Sequence, residues 1–153
     1  RCICIDEAAD QEGRKAMKST ILQTAANYLM PLLLMFSFFL LFRGHNEPGG
    51  GFVGGLVAAT AYALYAIAYG IENAKIVLRS EPVNLIWAGL LVALISGLIA
   101  VLQGKIFMTG FWIDDKIPVI GKLGTPFLFD VGVYLLVLGI ALKIIFVLAE
   151  EEA

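Results

Sequence analysis

Long stretches without charge decide what this chain can fold into. Residues 19–42 and 48–71 each run 24 residues with no charged side chain, and residues 82–104 run another 23. A helix needs roughly 20 mostly apolar residues to cross a hydrocarbon layer about 30 Å thick, so each window is long enough. A fourth window, 126–149, is interrupted only by Asp130 and Lys143. The chain has 153 residues, 59% hydrophobic and 16% charged, whereas an ordinary soluble domain carries about 25% charged residues. So short a soluble protein has no core that would hide four such segments. Membrane β-strands alternate polar and apolar residues over about ten positions. PLLLMFSFFLLF at 31–42 and LIWAGLLVALISGLIAVL at 85–102 do not alternate. The expected fold is an all-α membrane protein in one domain, 17–153, with four transmembrane helices at about 20–42, 52–74, 83–103 and 126–149.

The connectors agree. The first, RGHNEPGGG at 43–51, is a short Gly-rich turn between helices 1 and 2. The second, about 70–83, carries Glu72, Lys75, Arg79 and Glu81. The third, about 103–125, contains Phe111, Trp112 and the run DDK at 114–116. Its aromatic pair suits a membrane–water interface, as do Tyr28 and Trp87. Residues 1–16 are polar and lack the apolar core and cleavage site of a signal peptide. They read as an N-terminal extension, disordered or artefactual. Four spans put both termini and the second connector on one side. Arg14, Lys15, Lys18, Lys75 and Arg79 give five cations there, against Arg43, Lys105, Lys116 and Lys122 opposite. The positive-inside rule then places both termini in the cytoplasm.

Few residues could carry chemistry. A net charge of −2 without a basic run argues against nucleic acid as a partner. The glycines of 49–55 lack the Lys-Ser/Thr pair that completes a phosphate-binding loop. Cys2 and Cys4 are too few to hold a metal, which needs about four ligands. No nucleophile–base pair or catalytic carboxylate pair is present. We therefore expect no enzyme, cofactor or metal site. His45, the only histidine, is a candidate proton relay or a loop staple, and Glu47 a candidate cation ligand or a solvated carboxylate. Asp130 lies just over a turn inside helix 4 if Thr125-Pro126 opens it. It either complements the helix dipole or lines an ion path. Lys143 either snorkels or belongs to the same path, about 20 Å from Asp130 along the axis. Pro31 removes one backbone bond to the carbonyl of Asn27 and should kink helix 1. Asn27 and Ser37 are placed to hydrogen-bond between helices.

Small residues mark close helix packing. Gly50/Gly54 and Gly51/Gly55 have G-x-x-x-G spacing, Ala58 and Ala59 follow, and Ala93/Gly97 and Gly132/Gly139 continue the theme. In lipid, where apolar side chains gain nothing by leaving the solvent, such residues let backbones approach.

The segment LLFRGHNEPGGGFVGGLVAA at 40–59 resembles the MnhB family, the B subunits of the multisubunit Mrp-type Na+/H+ antiporters. FLFDVGVYLLVLG at 127–139 is similar to that family's last helix. The likeness covers about 17–152, and its motif is Gly44, His45, Asn46, Glu47, Pro48, Gly49, Gly50, Gly51 and Phe52. The resemblance implies a small non-catalytic multi-pass subunit in a prokaryotic cell membrane. Its partners would be two large antiporter-like subunits, related to the proton-pumping subunits of respiratory complex I, and several small ones. The complex would export Na+ in exchange for H+, supporting growth at alkaline pH or high salt. Related modules occur in membrane-bound hydrogenases, so an equivalent subunit of a redox-driven complex is the alternative. A free-standing homo-oligomeric transporter would need a membrane carboxylate for coupling, and the first three helices contain none.

Overall fold

The structure, a computed structural model, describes residues 3–44, 50–102, 112–117 and 121–151. In chain order these form α1 (Ile3–Arg43), α2 (Gly50–Tyr69), α3 (Ile71–Leu78), α4 (Pro82–Leu102), β1 (Trp112–Ile117), β2 (Gly121–Gly124) and α5 (Thr125–Glu151). Among the described residues, four helical stretches are long and apolar enough to cross a membrane: Thr20–Arg43, Gly50–Tyr69, Ile71–Ile99 and Thr125–Ala149. The all-α membrane architecture is the one expected. Several boundaries are not.

α1 begins at Ile3 and continues through Pro31 as one helix. The extension expected to be disordered or artefactual is helical from Ile3 onward. Its Glu, Ala, Gln, Arg and Lys are good helix formers, and lengthening an existing helix avoids the cost of nucleation. The second helix stops at Tyr69, five residues before the expected end. Gly70 takes φ 89°, ψ 159° there, a backbone conformation that suits glycine. α3 then runs eight residues and ends on Arg79, whose left-handed φ of 58° lets its N–H donate to the Lys75 carbonyl at 3.2 Å. Pro82 opens α4, where its missing N–H costs nothing.

The third connector, expected at a membrane–water interface, contains an antiparallel hairpin that pairs Trp112 with Gly124, Lys116 with Lys122 and Ile117 with Gly121. Trp112, Ile113 and Ile117 are strand-favouring types.

The spans pack as a row. α2 lies between α1 and α5, and α5 lies between α2 and α4. Among the described residues, α1 and α4 share no extended contact. The apolar core follows the α2–α5 seam, through Ala58, Ala59 and Ala66 of α2 and Leu138, Leu142 and Phe146 of α5. α5 meets α4 antiparallel. A Cβ on Gly132 would lie 2.9 Å from the carbonyl oxygen of Gly89, and one on Gly89 would lie 2.7 Å from that of Gly132. Two turns further along α5, a Cβ on Gly139 would lie 2.8 Å from the Pro82 carbonyl oxygen. Gly97 is buried in α4. A row leaves both of its faces open, unlike a closed four-helix bundle.

Candidate functional site

The Gly-rich turn closes α1 onto α2. The Gly44 N–H ends α1 by donating to the Leu40 carbonyl at 2.9 Å. A side chain on Gly44 would overlap the backbone of Gly50. Gly44 is therefore glycine for lack of space, while Gly50, with φ 35°, is also conformationally demanding. His45, Asn46, Glu47, Pro48 and Gly49 lie outside the described residues, and Phe52 is exposed.

Asp130 meets this turn. Its carboxylate sits against Gly50, where a Cβ would lie 2.9 Å from Oδ2. A Cβ on Gly51 would overlap the Asp130 carbonyl oxygen. Asp130 is half-buried and lies five residues after Thr125, the first residue of α5. It thus stands near the starts of two helices, α2 and α5. The open N–H groups at a helix start carry a partial positive charge that favours a carboxylate. Lys143 is exposed near the other end of α5. The structure does not bring the two together.

Deeper along the seam, Ser37 is fully buried and its Oγ lies 2.8 Å from the Gly54 carbonyl and 2.9 Å from the Tyr134 hydroxyl. A carbonyl only accepts and Ser37 has one proton. Ser37 therefore donates to Gly54, and Tyr134 donates to Ser37. The contact joins α1 to α5 across α2, because the Gly50–Gly55 stretch is too thin to separate its neighbours. A Cβ on Gly54 would lie 3.1 Å from the Ser37 carbonyl oxygen, and one on Gly55 2.8 Å from that of Tyr134. Aromatic rings seal the same end, Phe38 against Tyr134 at 6.0 Å and Phe42 against Phe127 at 5.6 Å between centroids.

Nearer the start of the α1 span, Asn27 Nδ2 donates to the Tyr69 hydroxyl at 2.6 Å, and that hydroxyl donates to the Gln23 carbonyl at 3.1 Å. Gln23 Nε2 reaches the Ala68 carbonyl at 3.3 Å. Sequence reasoning singled out Asn27 and Ser37 but not their tyrosine partners, nor Gly89. A tyrosine inside an apolar span is the available signal, since its hydroxyl needs a partner when buried.

The Ser37–Tyr134 pair makes an asymmetric prediction. Tyr134→Phe should cost about 1 kcal/mol, because Ser37 keeps its carbonyl partner. Ser37→Ala should cost about 2 kcal/mol, because it strands a buried hydroxyl donor. Adding Tyr134→Phe to Ser37→Ala should then restore part of the loss. Thermal unfolding of the detergent-solubilised protein measures all three.

These features define a multi-pass helical membrane protein whose spans pack backbone to backbone through glycine. Comparison with known proteins gives the family. The model of a domain related to the MnhB subunit of Na+/H+ antiporter matches residues 21–143. The Na(+)/H(+) antiporter B subunit of Bacillus subtilis is 42% identical over 137 residues, covering 86% of this chain and 94% of that protein. The B subunit of the Na(+)/H(+) antiporter from Alkalihalophilus pseudofirmus is 37% identical over 142 residues, covering 90% and 99%. Among solved structures, the Mrp complex from Dietzia sp. DQ12-45-1b contains a chain that matches with a TM-score of 0.74 at 33% identity. That match covers 88% of this chain but 14% of the other, so the same fold is there a segment of a much longer polypeptide. The chain belongs to the MnhB family.

Proposed function

We propose that this chain is a non-catalytic membrane subunit of a multisubunit Na+/H+ antiporter complex, holding neighbouring subunits in place. The observation that carries the reading is the match to two antiporter B subunits over nearly their whole lengths. The row of spans supports it, since open faces on both sides suit a chain that others cover. The polar groups inside the spans also serve packing. Ser37, Tyr134, Asn27, Tyr69 and Gln23 bond one another or nearby carbonyls. Asp130, at the starts of two helices, reads as a structural carboxylate that holds the Gly-rich turn closed. We place the protein in a prokaryotic cell membrane with both termini in the cytoplasm.

The experiment is reconstitution in vesicles bearing a pH gradient. The complete complex should dissipate the gradient when Na+ is added, the complex without this chain should lose most of that activity, and the chain alone should show none. Antiport by the chain alone would overturn the reading. Iron–sulfur subunits among the co-purifying proteins would move it to a redox-driven complex.

A further inference from the structure

α5 carries a cation that no described residue of its own chain matches. Lys143 is exposed, and among the described residues it makes no hydrogen bond or ion pair. Its surroundings are apolar. Ile140, Ile144, Val147 and Leu148 are exposed around it, and their spacing of three and four puts them on one helix stripe with Lys143. The other side of α5 presents Leu138, Leu142 and Phe146, which are buried in the core. Lys143 therefore sits within the uncovered face of a central helix of the row.

Lipid alone suits this position poorly. The apolar span ends at Ala149, six residues on, which is about 9 Å along the axis. An extended lysine reaches roughly 6 Å from its Cα, and snorkelling uses all of that length. The Cα–Cβ bonds of a helix tilt toward its N-terminus. A lysine near the C-terminal end thus starts out pointing toward the middle of the span and away from the nearer surface. Charged groups at such depth pair with other charges or face a bundle interior.

We propose that Lys143 pairs with a carboxylate on a transmembrane helix of another membrane subunit, which covers the Ile140–Leu148 face of α5. This deepens the reading of the chain as a complex subunit and rests on it. The depth of Lys143 selects a carboxylate carried by protein over a lipid phosphate, which stays at the membrane surface. The open row supplies the surface, and the flanking isoleucines supply an apolar rim that keeps water from the pair.

The test uses the whole complex in native membranes. A benzophenone amino acid is placed at Ile140 or Ile144, leaving Lys143 intact, and the adducts are mapped by mass spectrometry. The expected adduct is one other membrane subunit, at a helix that contains Asp or Glu. Lys143→Met should lower co-purification of that subunit by about tenfold, equivalent to losing one sound polar contact, with the level of this chain in the membrane unchanged. Lys143→Arg should retain most of it. Adducts with lipid only, or with a helix lacking an acidic residue, overturn the proposal. So does a Lys143→Met variant that co-purifies like the wild type. If Lys143→Met lowers the level of the chain itself, the adduct map decides. Failure of the wild-type chain to co-purify with any membrane subunit would instead overturn the functional reading.

Discussion

Gly51→Leu should leave almost no correctly packed protein. A Cβ at that position overlaps the carbonyl oxygen of Asp130, and a second backbone atom, the Tyr134 nitrogen, would be 3.0 Å away. Backbone does not yield by changing rotamer, so the helices must part. Overpacking of this kind costs roughly 3 kcal/mol or more, and separating α2 from α5 also strains the Ser37–Tyr134 contact that joins α1 to α5 across α2. Gly55→Leu should act in the same direction, since its Cβ would meet the Tyr134 carbonyl oxygen at 2.8 Å. Val53→Leu is the control, because Val53 is 39% exposed on the same helix. The measurement is the fraction of chain recovered as a sharp peak in mild-detergent gel filtration, and the fraction that co-purifies with its partners. Normal recovery of Gly51→Leu would mean that α2 and α5 do not meet at this glycine.

Asp130→Lys should be the next most damaging change. It replaces a carboxylate by a cation beside Gly50 and at the starts of two helices. A favourable charge–dipole interaction, up to ~2 kcal/mol in a partly buried site, becomes a repulsive one of similar size. The bulkier side chain also meets Gly50, where no space is left. The expected result is loss of assembly at normal transcript level. Asp130→Asn separates the two possible roles of this residue. On the structural reading it loses roughly 1 kcal/mol, assembles, and supports nearly normal antiport in vesicles. Normal assembly with abolished antiport would instead put Asp130 in an ion path.

The spans were legible because one physical requirement dominates them. Hydrocarbon excludes charge and demands internally bonded backbone, so length and composition alone reveal helices. Boundaries were less legible. Gly70 ends α2 inside a charge-free window, and an isolated glycine in a membrane helix is common enough to carry little signal. The start of α1 was missed for the opposite reason: residues 3–16 have helix-forming composition but no apolar periodicity to announce it. The hairpin at 112–124 lies in a connector where Asp114, Asp115, Lys116 and Lys122 break up the apolar residues, so no strand alternation stands out.

At the site, the glycine spacing indicated close helix packing but no partner. Gly51 and Gly55 meet α5, Gly54 meets both α1 and α5, and Gly132 meets α4. Nothing in the spacing distinguishes these neighbours, because a glycine offers the same smooth surface to any helix. Likewise Ser37 and Tyr134 are 97 residues apart in the chain, and no local pattern joins them. What the sequence determined by itself was the solvent and the elements: a lipid environment, four spans, and a pinched turn between the first two. Only the tertiary structure decided the order of the row, α1–α2–α5–α4, and with it which polar groups meet and which face of α5 stays open. The division follows from range. Crossing a membrane is settled within about 20 consecutive residues, whereas the choice of neighbour rests on contacts that no single segment encodes.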